Sequence, residues 1–297
     1  MSVVRINAPA KVNLWLHILA REDSGYHSLE TLFCAIDLAD ELTIARGGRG
    51  ITLQVEGGIE TGPPTDNLVV RAARRFLDEV GRPDEGLSIE LHKRIPAAAG
   101  LGGGSSDAAA TLRALNRLFG GPLAEEVLLQ IAIELGSDVP FFLCGSPLAL
   151  GWSRGERLFA LPPLPAASVL VAHPREPMST AGAFQRIAQL RGGAYRPRAS
   201  LVRLAELGGW EGVAARAHND FEDVVCERLP RLREGLEILR RSGARIALLA
   251  GSGASIFAVF DHRSPPLSAA PELHAKGFTV WLAATLTALP EPALQPR

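Results

Sequence analysis

A run of small residues between positions 96 and 107 is the part of the sequence best suited to hold a phosphate group. It reads PAAAGLGGGSSD, follows the alternating strand-like residues Leu87, Ile89 and Leu91, and precedes a helical pattern that starts at Ala108. A glycine-rich turn that leads into a helix presents unpaired backbone amides, and the helix dipole favours negative charge at the same place. The sequence therefore predicts an anion-binding loop here.

The spacing of the glycines excludes the best-known motifs of this kind. The dinucleotide fingerprint needs a third glycine where Ser105 stands, no lysine follows the run as in a Walker A loop, and the serine-hydrolase elbow fits neither this run nor residues 251–255. What remains is a long loop that ends in Ser105 and Ser106, whose hydroxyls can contact a phosphate or a Mg²⁺ ion. A glycine run on its own is more often a flexible connector or a close packing of backbones, but the position between a strand and a helix favours the phosphate loop.

Hydrophobic periodicity predicts the elements that must position this loop. Residues 10–18 alternate as a half-buried strand that places Lys11, Asn13, Trp15 and His17 on one face. The other predictions are a helix capped by Asp66 that ends at Gly81, a helix from near Pro122 to Gly136, a helix over residues 181–190, two strands within 246–260, and a loose terminus over the last dozen residues.

Composition narrows the class of protein. The 32 acidic residues nearly cancel the 31 basic residues, so the excess of positive charge typical of nucleic-acid-binding proteins is missing. The 47% hydrophobic and 21% charged fractions are those of an ordinary globular protein. Three separated cysteines give neither a disulfide framework nor a CxxC metal pair, and no segment has the length of a signal peptide or a membrane span. We therefore expect a cytoplasmic protein that binds neither nucleic acid nor membrane.

Several separated stretches resemble one superfamily. Residues 96–109 (PAAAGLGGGSSDAA) are similar to the phosphate loop of the GHMP kinases, which include galactokinase, homoserine kinase and mevalonate kinase. Residues 9–14 (PAKVNL) and 250–255 (AGSGAS) resemble the first and third motifs of that superfamily. Residues 25–29 (GYHSL), 136–143 (GSDVPFFL) and 219–222 (NDFE) resemble the branch whose acceptor is a cytidine-diphosphate-linked methylerythritol. The stretches follow the same order from about residue 5 to residue 260, so the resemblance is specific as a set.

The resemblance implies a two-domain α+β fold of the GHMP kinase type. Residues 1–155 would form a nucleotide-binding domain like ribosomal protein S5 domain 2, and residues 156–297 a ferredoxin-like substrate domain, with the active site in the cleft between them. It also implies transfer of the ATP γ-phosphate to the 2-hydroxyl of the cytidine-linked acceptor, a step in the non-mevalonate route to isoprenoid precursors. Mg²⁺ would arrive with ATP, because the seven histidines show no close metal-ligand spacing. We expect a monomer or a weak homodimer.

By the same resemblance, Asp138 is the base and Lys11 its partner. Phosphoryl transfer needs a polyphosphate cradle, positive charge on the transferring group and a base for the hydroxyl. Lys11 would keep Asp138 ionised and stabilise charge on the phosphoryl group. Taken alone, an aspartate between Gly-Ser and Val-Pro is more often a turn or cap residue, and a lysine on the exposed side of a strand is most often solvated. The order of three separated segments favours the functional interpretation. The cradle would consist of Pro96, Ala97, Ala98, Ala99, Gly100, Leu101, Gly102, Gly103, Gly104, Ser105 and Ser106.

The resemblance places the acceptor against a second set of residues. The aromatic ring of Tyr26 and the imidazole of His27 would grip cytosine, with Phe184 as a second ring on its other face. Phe184 also belongs to an apolar helical stripe with Ile187 and Leu190, which fits a core position as well. The remaining predicted acceptor residues are Asn13, Gly251, Ser252 and Gly253.

Two departures and two rival functions remain open. Trp152 and the lengthened segment 191–200 differ from the family pattern, which affects details of acceptor contact more than the type of reaction. The nearest rival is another GHMP kinase that acts on mevalonate, homoserine or a sugar, for which residues 25–27 would have no cytosine to bind. A different class is a non-catalytic nucleotide-binding or RNA-associated protein, in which Lys11 and Asp138 would have no purpose.

Overall fold

The computed structural model describes residues 2–21, 27–59, 61–63, 65–176, 178, 180–190, 202–261 and 268–295. Two β-sheets form the framework of these ranges. The strands of the first sheet are β1 (Val3–Arg21), β2 (His27–Arg46), β3 (Ile51–Glu56), β4 (Leu87–His92), β5 (Leu148–Ser153), β6 (Arg157–Leu161), β8 (His218–Asn219) and β12 (Ala293–Gln295). Their order is β12-β1-β2-β4-β3. In addition, β5 pairs with both β2 and β6, and β8 pairs with β1.

Three helices and a 3₁₀ turn pack against this sheet. They are α1 (Leu68–Glu79), α2 (Gly103–Leu118), α3 (Glu125–Leu135) and the 3₁₀ helix Pro140–Leu143. Alternate residues of β4, such as Leu87 and Ile89, are buried against Phe76 of α1 and Leu115 of α2 in one core. This half of the molecule therefore presents the loop between β4 and α2 at a fixed place beside β1.

The second sheet is antiparallel and has the order β11-β7-β10-β9. Its strands are β7 (Ala167–His173), β9 (Ile246–Leu249), β10 (Ile256–Asp261) and β11 (Thr279–Ala284), and the helices are α4 (Thr180–Leu190), α5 (Trp210–Ala214), α6 (Glu222–Arg228), α7 (Arg231–Arg241) and α8 (Ala269–Ala275). A strand, helices, two strands, a helix and a final strand follow one another, as in ferredoxin-like folds. The expected α+β fold class is confirmed, and within the described residues no helix has the length and apolarity that crossing a membrane requires.

The predicted alternation of β1 is wrong at its middle. The pairing of β1 with β2 has an irregularity between Asn13 and Trp15, which shifts the side-chain alternation by one position. Trp15 is consequently buried in the core, while Leu16 joins Lys11 and Asn13 on the cleft side. The alternation of apolar residues along β1 does not indicate this irregularity.

Three predicted element ends also differ. Asn67, not Asp66, caps α1, because the Asn67 side chain accepts a hydrogen bond from Val69 N. Helix α2 begins at Gly103, inside the glycine run. The last dozen residues are not loose throughout, since β12 pairs with β1. Strands β6, β8 and β12 of the first sheet come from residues beyond 155. The domain boundary at residue 155 stays a prediction.

Candidate active site

A cleft of about 570 Å³ opens beside the glycine-rich loop. Strand β1, the loop before α2, the turn between β9 and β10, and helix α4 supply its walls. Most of the predicted site residues therefore meet in one place, although they come from distant parts of the sequence.

Backbone hydrogen bonds hold the loop between the two halves of the chain. Leu101 O accepts from Lys11 N at 2.9 Å, and Ala99 O accepts from Ser255 N at 3.1 Å. Gly100 has φ +78°, and a Cβ at this position would lie 2.0 Å from Ala250 O. Only glycine fits here, because the space and the backbone angle both exclude a side chain. The loop is thus packed on both sides and is not a flexible connector.

The loop presents the start of α2 to the cleft. Gly102 precedes the helix with φ +70°, and no side chain caps the first turn, so the amides of that turn are available to an anion. Residues 96–105 all line the cleft, and their predicted contact with ATP stays a prediction. Ser106 does not line the cleft, because its side chain lies on the buried face of α2 with an exposed fraction of 0%.

Lys11 and Asp138 face each other across the cleft floor. Lys11 Nζ lies 3.5 Å from Asp138 Oδ2, and the same Nζ donates to Asn13 Oδ1 at 2.8 Å. Asn13 Nδ2 donates to Thr31 Oγ1 at 2.7 Å, and that hydroxyl donates to the carbonyl of Trp15. The lysine is only 4% exposed, so the expectation of a solvated strand residue does not hold. The chain of hydrogen bonds fixes the ammonium where it contacts the carboxylate.

A second lysine is buried below the phosphate loop. Lys93 Nζ donates to Asp40 Oδ2 at 2.5 Å and to Asp107 Oδ2 at 2.8 Å. Asp40 Oδ1 also accepts from the backbone amides of Arg94 and Ile95, at the point where β4 ends and the loop begins. The three charged side chains thereby join β2, β4 and α2 under the glycine run.

Burial raises the pKa of Asp107, Lys93 opposes that shift and Asp40 adds to it, and the resulting pKa is about 8. For Lys93, burial alone would lower the pKa, but Asp107 and Asp40 together raise it above its ordinary value. One ammonium shared by two buried carboxyls therefore favours a protonated Asp107 at neutral pH.

Aromatic residues form another part of the cleft wall. Phe184 and Phe221 both line the cleft and meet edge to face, with ring centroids 4.8 Å apart. His27 is not among the lining residues, but its ring is stacked on that of Phe184, also at 4.8 Å. Phe184 lines the cleft, so it is not only a core residue of α4. Tyr26 and Gly25 lie outside the described residues, as does segment 191–200.

The turn between β9 and β10 closes the site. Gly251 and Ser252 line the cleft, and Ser252 Oγ is 2.8 Å from Thr180 Oγ1 at the start of α4. Gly253 is turned away, since a Cβ there would point at Val225 and Leu249. The structure thus brings two of the three predicted residues of this turn into the site.

Several cleft residues were not predicted from the sequence. Asn67 caps α1, Lys93 follows the last residue of β4, and Arg154 lies in the turn between β5 and β6. The available signal was the start of α1, because helix starts commonly face bound anions, but the sequence places the cap one residue early, at Asp66. Further unpredicted lining residues are Leu29, Thr31, Phe33, Thr61, Asp66, Leu68, Asp107 and Phe221.

Comparison with known proteins identifies the class of protein to which the chain belongs. The family of GHMP kinase N terminal domains matches residues 67–146, and the family of GHMP kinase C terminal domains matches residues 201–278. A homoserine kinase from Cytophaga hutchinsonii has the same fold, with a TM-score of 0.71 at 18% identity over 99% of this chain and 97% of that one. The chain belongs to the GHMP kinases and is an ATP-dependent kinase.

Closer relatives define the family within that class. A 4-diphosphocytidyl-2-C-methyl-D-erythritol kinase from Geobacter sulfurreducens is 39% identical over 96% of this chain and 99% of its own length. The enzyme of that name from Deinococcus radiodurans is 38% identical over 95% and 93% of the two chains. A crystal structure of a 4-(cytidine 5'-diphospho)-2C-methyl-D-erythritol kinase has a TM-score of 0.79 at 34% identity and covers 95% of this chain and 98% of that one. This chain is a member of the 4-diphosphocytidyl-2-C-methyl-D-erythritol kinase family.

Proposed function

We propose that the protein transfers the γ-phosphate of ATP to the 2-hydroxyl of 4-diphosphocytidyl-2-C-methyl-D-erythritol, a step of the non-mevalonate route to isoprenoid precursors. The observation that carries the proposal is the contact of Lys11 with Asp138 in a cleft that is also lined by the phosphate loop and by the ring of Phe184. A donor bound on the loop and an acceptor bound beside Phe184 would meet at this pair.

The ATP phosphates lie against the glycine-rich loop in this proposal. The amides at the start of α2 and the hydroxyl of Ser105 would contact the phosphate oxygens, and the helix dipole favours their negative charge. Ser106 contributes through the packing of α2, because its side chain is buried.

The cleft fits a Mg²⁺ ion that is held mostly by the nucleotide. Among the described residues that line it, no three His, Cys, Asp or Glu side chains bring ligand atoms close enough to share an ion. Mg²⁺ keeps several waters and binds substrate phosphates readily, so it needs few protein ligands. When bound, it would neutralise charge on the phosphate oxygens. The protein's own part is to position the polyphosphate.

In this proposal the acceptor's cytosine lies beside Phe184, whose ring provides a flat apolar surface in the cleft. The imidazole of His27 is stacked on that ring and would bind the edge of the base, as the family resemblance implies. Tyr26 would complete the pocket, as the family resemblance implies. Gly251 and Ser252 would contact the acceptor through backbone amides and the hydroxyl.

The chemical step follows from the position of Asp138. Its carboxylate takes the proton of the acceptor hydroxyl, the hydroxyl oxygen forms a bond to the γ-phosphorus, and the bond from that phosphorus to the ADP oxygen breaks. Lys11, held by Asn13, supplies positive charge beside the transferring group. The products are ADP and the 2-phosphorylated acceptor.

ADP release from Mg·ATP tests the proposal with four acceptors in parallel. We expect turnover with the cytidine-linked acceptor and none with mevalonate, homoserine or galactose. The Asp138→Ala protein serves as the control for contaminating kinases. Turnover with only one of the other three alcohols would refute the assigned acceptor. No ADP release with any of the four acceptors would refute the assigned reaction.

A further inference from the structure

Two histidines and an aspartate meet on the far side of β1 from the phosphate loop. The nearest ligand atoms of His17, His218 and Asp220 all lie within 4.8 Å of one another. In the part of the chain that the structure describes, this is the one group of three such side chains with that proximity. None of the three lines the cleft, so the group is separate from the site described above.

The backbone brings these residues together. Strand β8 runs parallel to β1, with Trp15 opposite His218 and Leu16 opposite Asn219. Asp220 N then donates to Leu16 O at 3.0 Å, and Asp220 Oδ2 accepts from Ile18 N at 2.7 Å. Asp220 is therefore fixed against β1 by hydrogen bonds to the two residues that flank His17.

The two imidazoles are stacked on each other next to this carboxylate. Their ring centroids are 5.1 Å apart with an angle of 18° between the planes, and His218 Nε2 lies 2.9 Å from Asp220 Oδ1. The carboxylate side chain is 3% exposed, whereas that of His218 is 50% exposed. The Asp220 carboxylate is thus held by the fold, whereas the His218 side chain is half exposed.

We propose that His17, His218 and Asp220 bind a divalent transition-metal ion of the Zn²⁺ type. Two imidazole nitrogens and one carboxylate oxygen form a common ligand set for Zn²⁺ and related ions, whereas Mg²⁺ prefers oxygen ligands alone. With metal–ligand distances of about 2.1 Å, ligand atoms in a tetrahedral site lie about 3.4 Å apart. In this proposal the three ligand atoms, now within 4.8 Å of one another, close to that distance around the ion through a movement of the half-exposed His218 side chain, and water is the fourth ligand. The hydrogen bond of Ile18 N to Oδ2 keeps the carboxylate oriented, as outer partners of metal ligands commonly do.

A bound ion would connect two parts of the chain that shape the cleft. Strand β1 carries Lys11 and Asn13, and Asn219, next to two of the ligands, donates to the carbonyls of Leu249 and Gly251. An ion at this place would therefore stabilise the folded protein from outside the cleft, with no part in phosphoryl transfer. The inference does not depend on the proposed acceptor.

The test is a Zn²⁺ titration of protein without a histidine tag, by calorimetry, in excess Mg²⁺. We expect one Zn²⁺ per chain that Mg²⁺ does not displace, an increase in Tm on binding, and visible absorption from Co²⁺ bound at the same place. His218→Gln should weaken Zn²⁺ binding by at least about tenfold and remove the increase in Tm. His92→Gln is the matched control, because His92 is also half exposed and also faces a carboxylate, at 3.8 Å from Glu56, without a second histidine in the group.

Equal Zn²⁺ affinity in the wild type and His218→Gln would overturn the proposal, since the ion would then be bound elsewhere. So would displacement of Zn²⁺ by Mg²⁺. The Co²⁺ spectrum of the wild type gives a test that does not depend on any variant: a spectrum identical to that of the hydrated ion would show that no imidazole binds the metal.

Discussion

Lys11 combines deep burial with a position beside the proposed base. Its side chain is 5% exposed, and Nζ lies 3.5 Å from Asp138 Oδ2. We expect Lys11→Met to lower kcat by about 10²- to 10³-fold, because it removes positive charge that stabilises the transferring phosphoryl group. ATP affinity should change much less, since the phosphate loop supplies most of the ATP contacts in the proposal.

Steady-state kinetics together with ATP calorimetry separates these two effects. Lys276→Met is the matched control, since Lys276 is an exposed lysine paired with Glu234 on the surface. A Lys11→Met enzyme with the kcat of the control would contradict the role assigned to this ammonium.

The contact between the phosphate loop and the turn after β9 depends on single glycines. Gly100 has φ +78° and no space for a Cβ, whereas Gly121 has φ +75° and nothing within 4 Å of that position. Gly121→Ala should therefore lower the free energy of unfolding only by the cost of the left-handed backbone, about 1–2 kcal/mol. Gly100→Ala should lower it more and should also weaken ATP binding, because the loop must move away from Ala250. Urea unfolding and ATP calorimetry of the two variants test this difference, and equal losses in both would argue against a packed loop.

The junction of β4 and α2 makes stability depend on pH. The pKa of Asp107 is raised from the ordinary carboxyl range to about 8, so between these values the folded state binds a proton that the unfolded state has lost. The free energy of unfolding must then fall as pH rises, by at most about 1.4 kcal/mol per pH unit. Asp107→Asn removes this dependence, and its stability relative to wild type should increase steadily from about pH 5 to pH 8.

Urea unfolding at a series of pH values measures this slope. Asp84→Asn, at an exposed position after α1, is the control and should run parallel to wild type at every pH. If Asp107→Asn also runs parallel to wild type, the carboxyl is ionised throughout this range in the folded state.

On the scale of the whole molecule, the sequence predicts the class of fold and the cleft better than it predicts individual contacts. The glycine run, Lys11, Asp138 and Phe184 all lie where the motifs indicate, because each motif is local and its spacing carries information. Lys93 with its two carboxylates was not predicted. Asp40 lies in β2, Lys93 directly follows β4 and Asp107 lies in α2, and only the packed fold brings the three together.

Long-range pairing explains the other omissions. His17 and His218 are separated by most of the chain, so ligand spacing cannot show that they are neighbours. The irregularity after Asn13 reverses the side-chain alternation of β1, and it depends on how β1 pairs with β2 and not on the β1 residues alone. Pairings between distant segments are the part of this structure that local sequence patterns do not encode.

The proposed reaction depends above all on Asp138 as the base at the contact between donor and acceptor. A single-turnover experiment measures this step, with γ-labelled ATP and 4-diphosphocytidyl-2-C-methyl-D-erythritol mixed with excess enzyme and quenched in acid. In the Asp138→Asn enzyme we expect phosphoryl transfer about 10²- to 10⁴-fold slower than in the wild type, with unchanged affinity for both substrates. Transfer at the wild-type rate in Asp138→Asn would show that Asp138 is not the base.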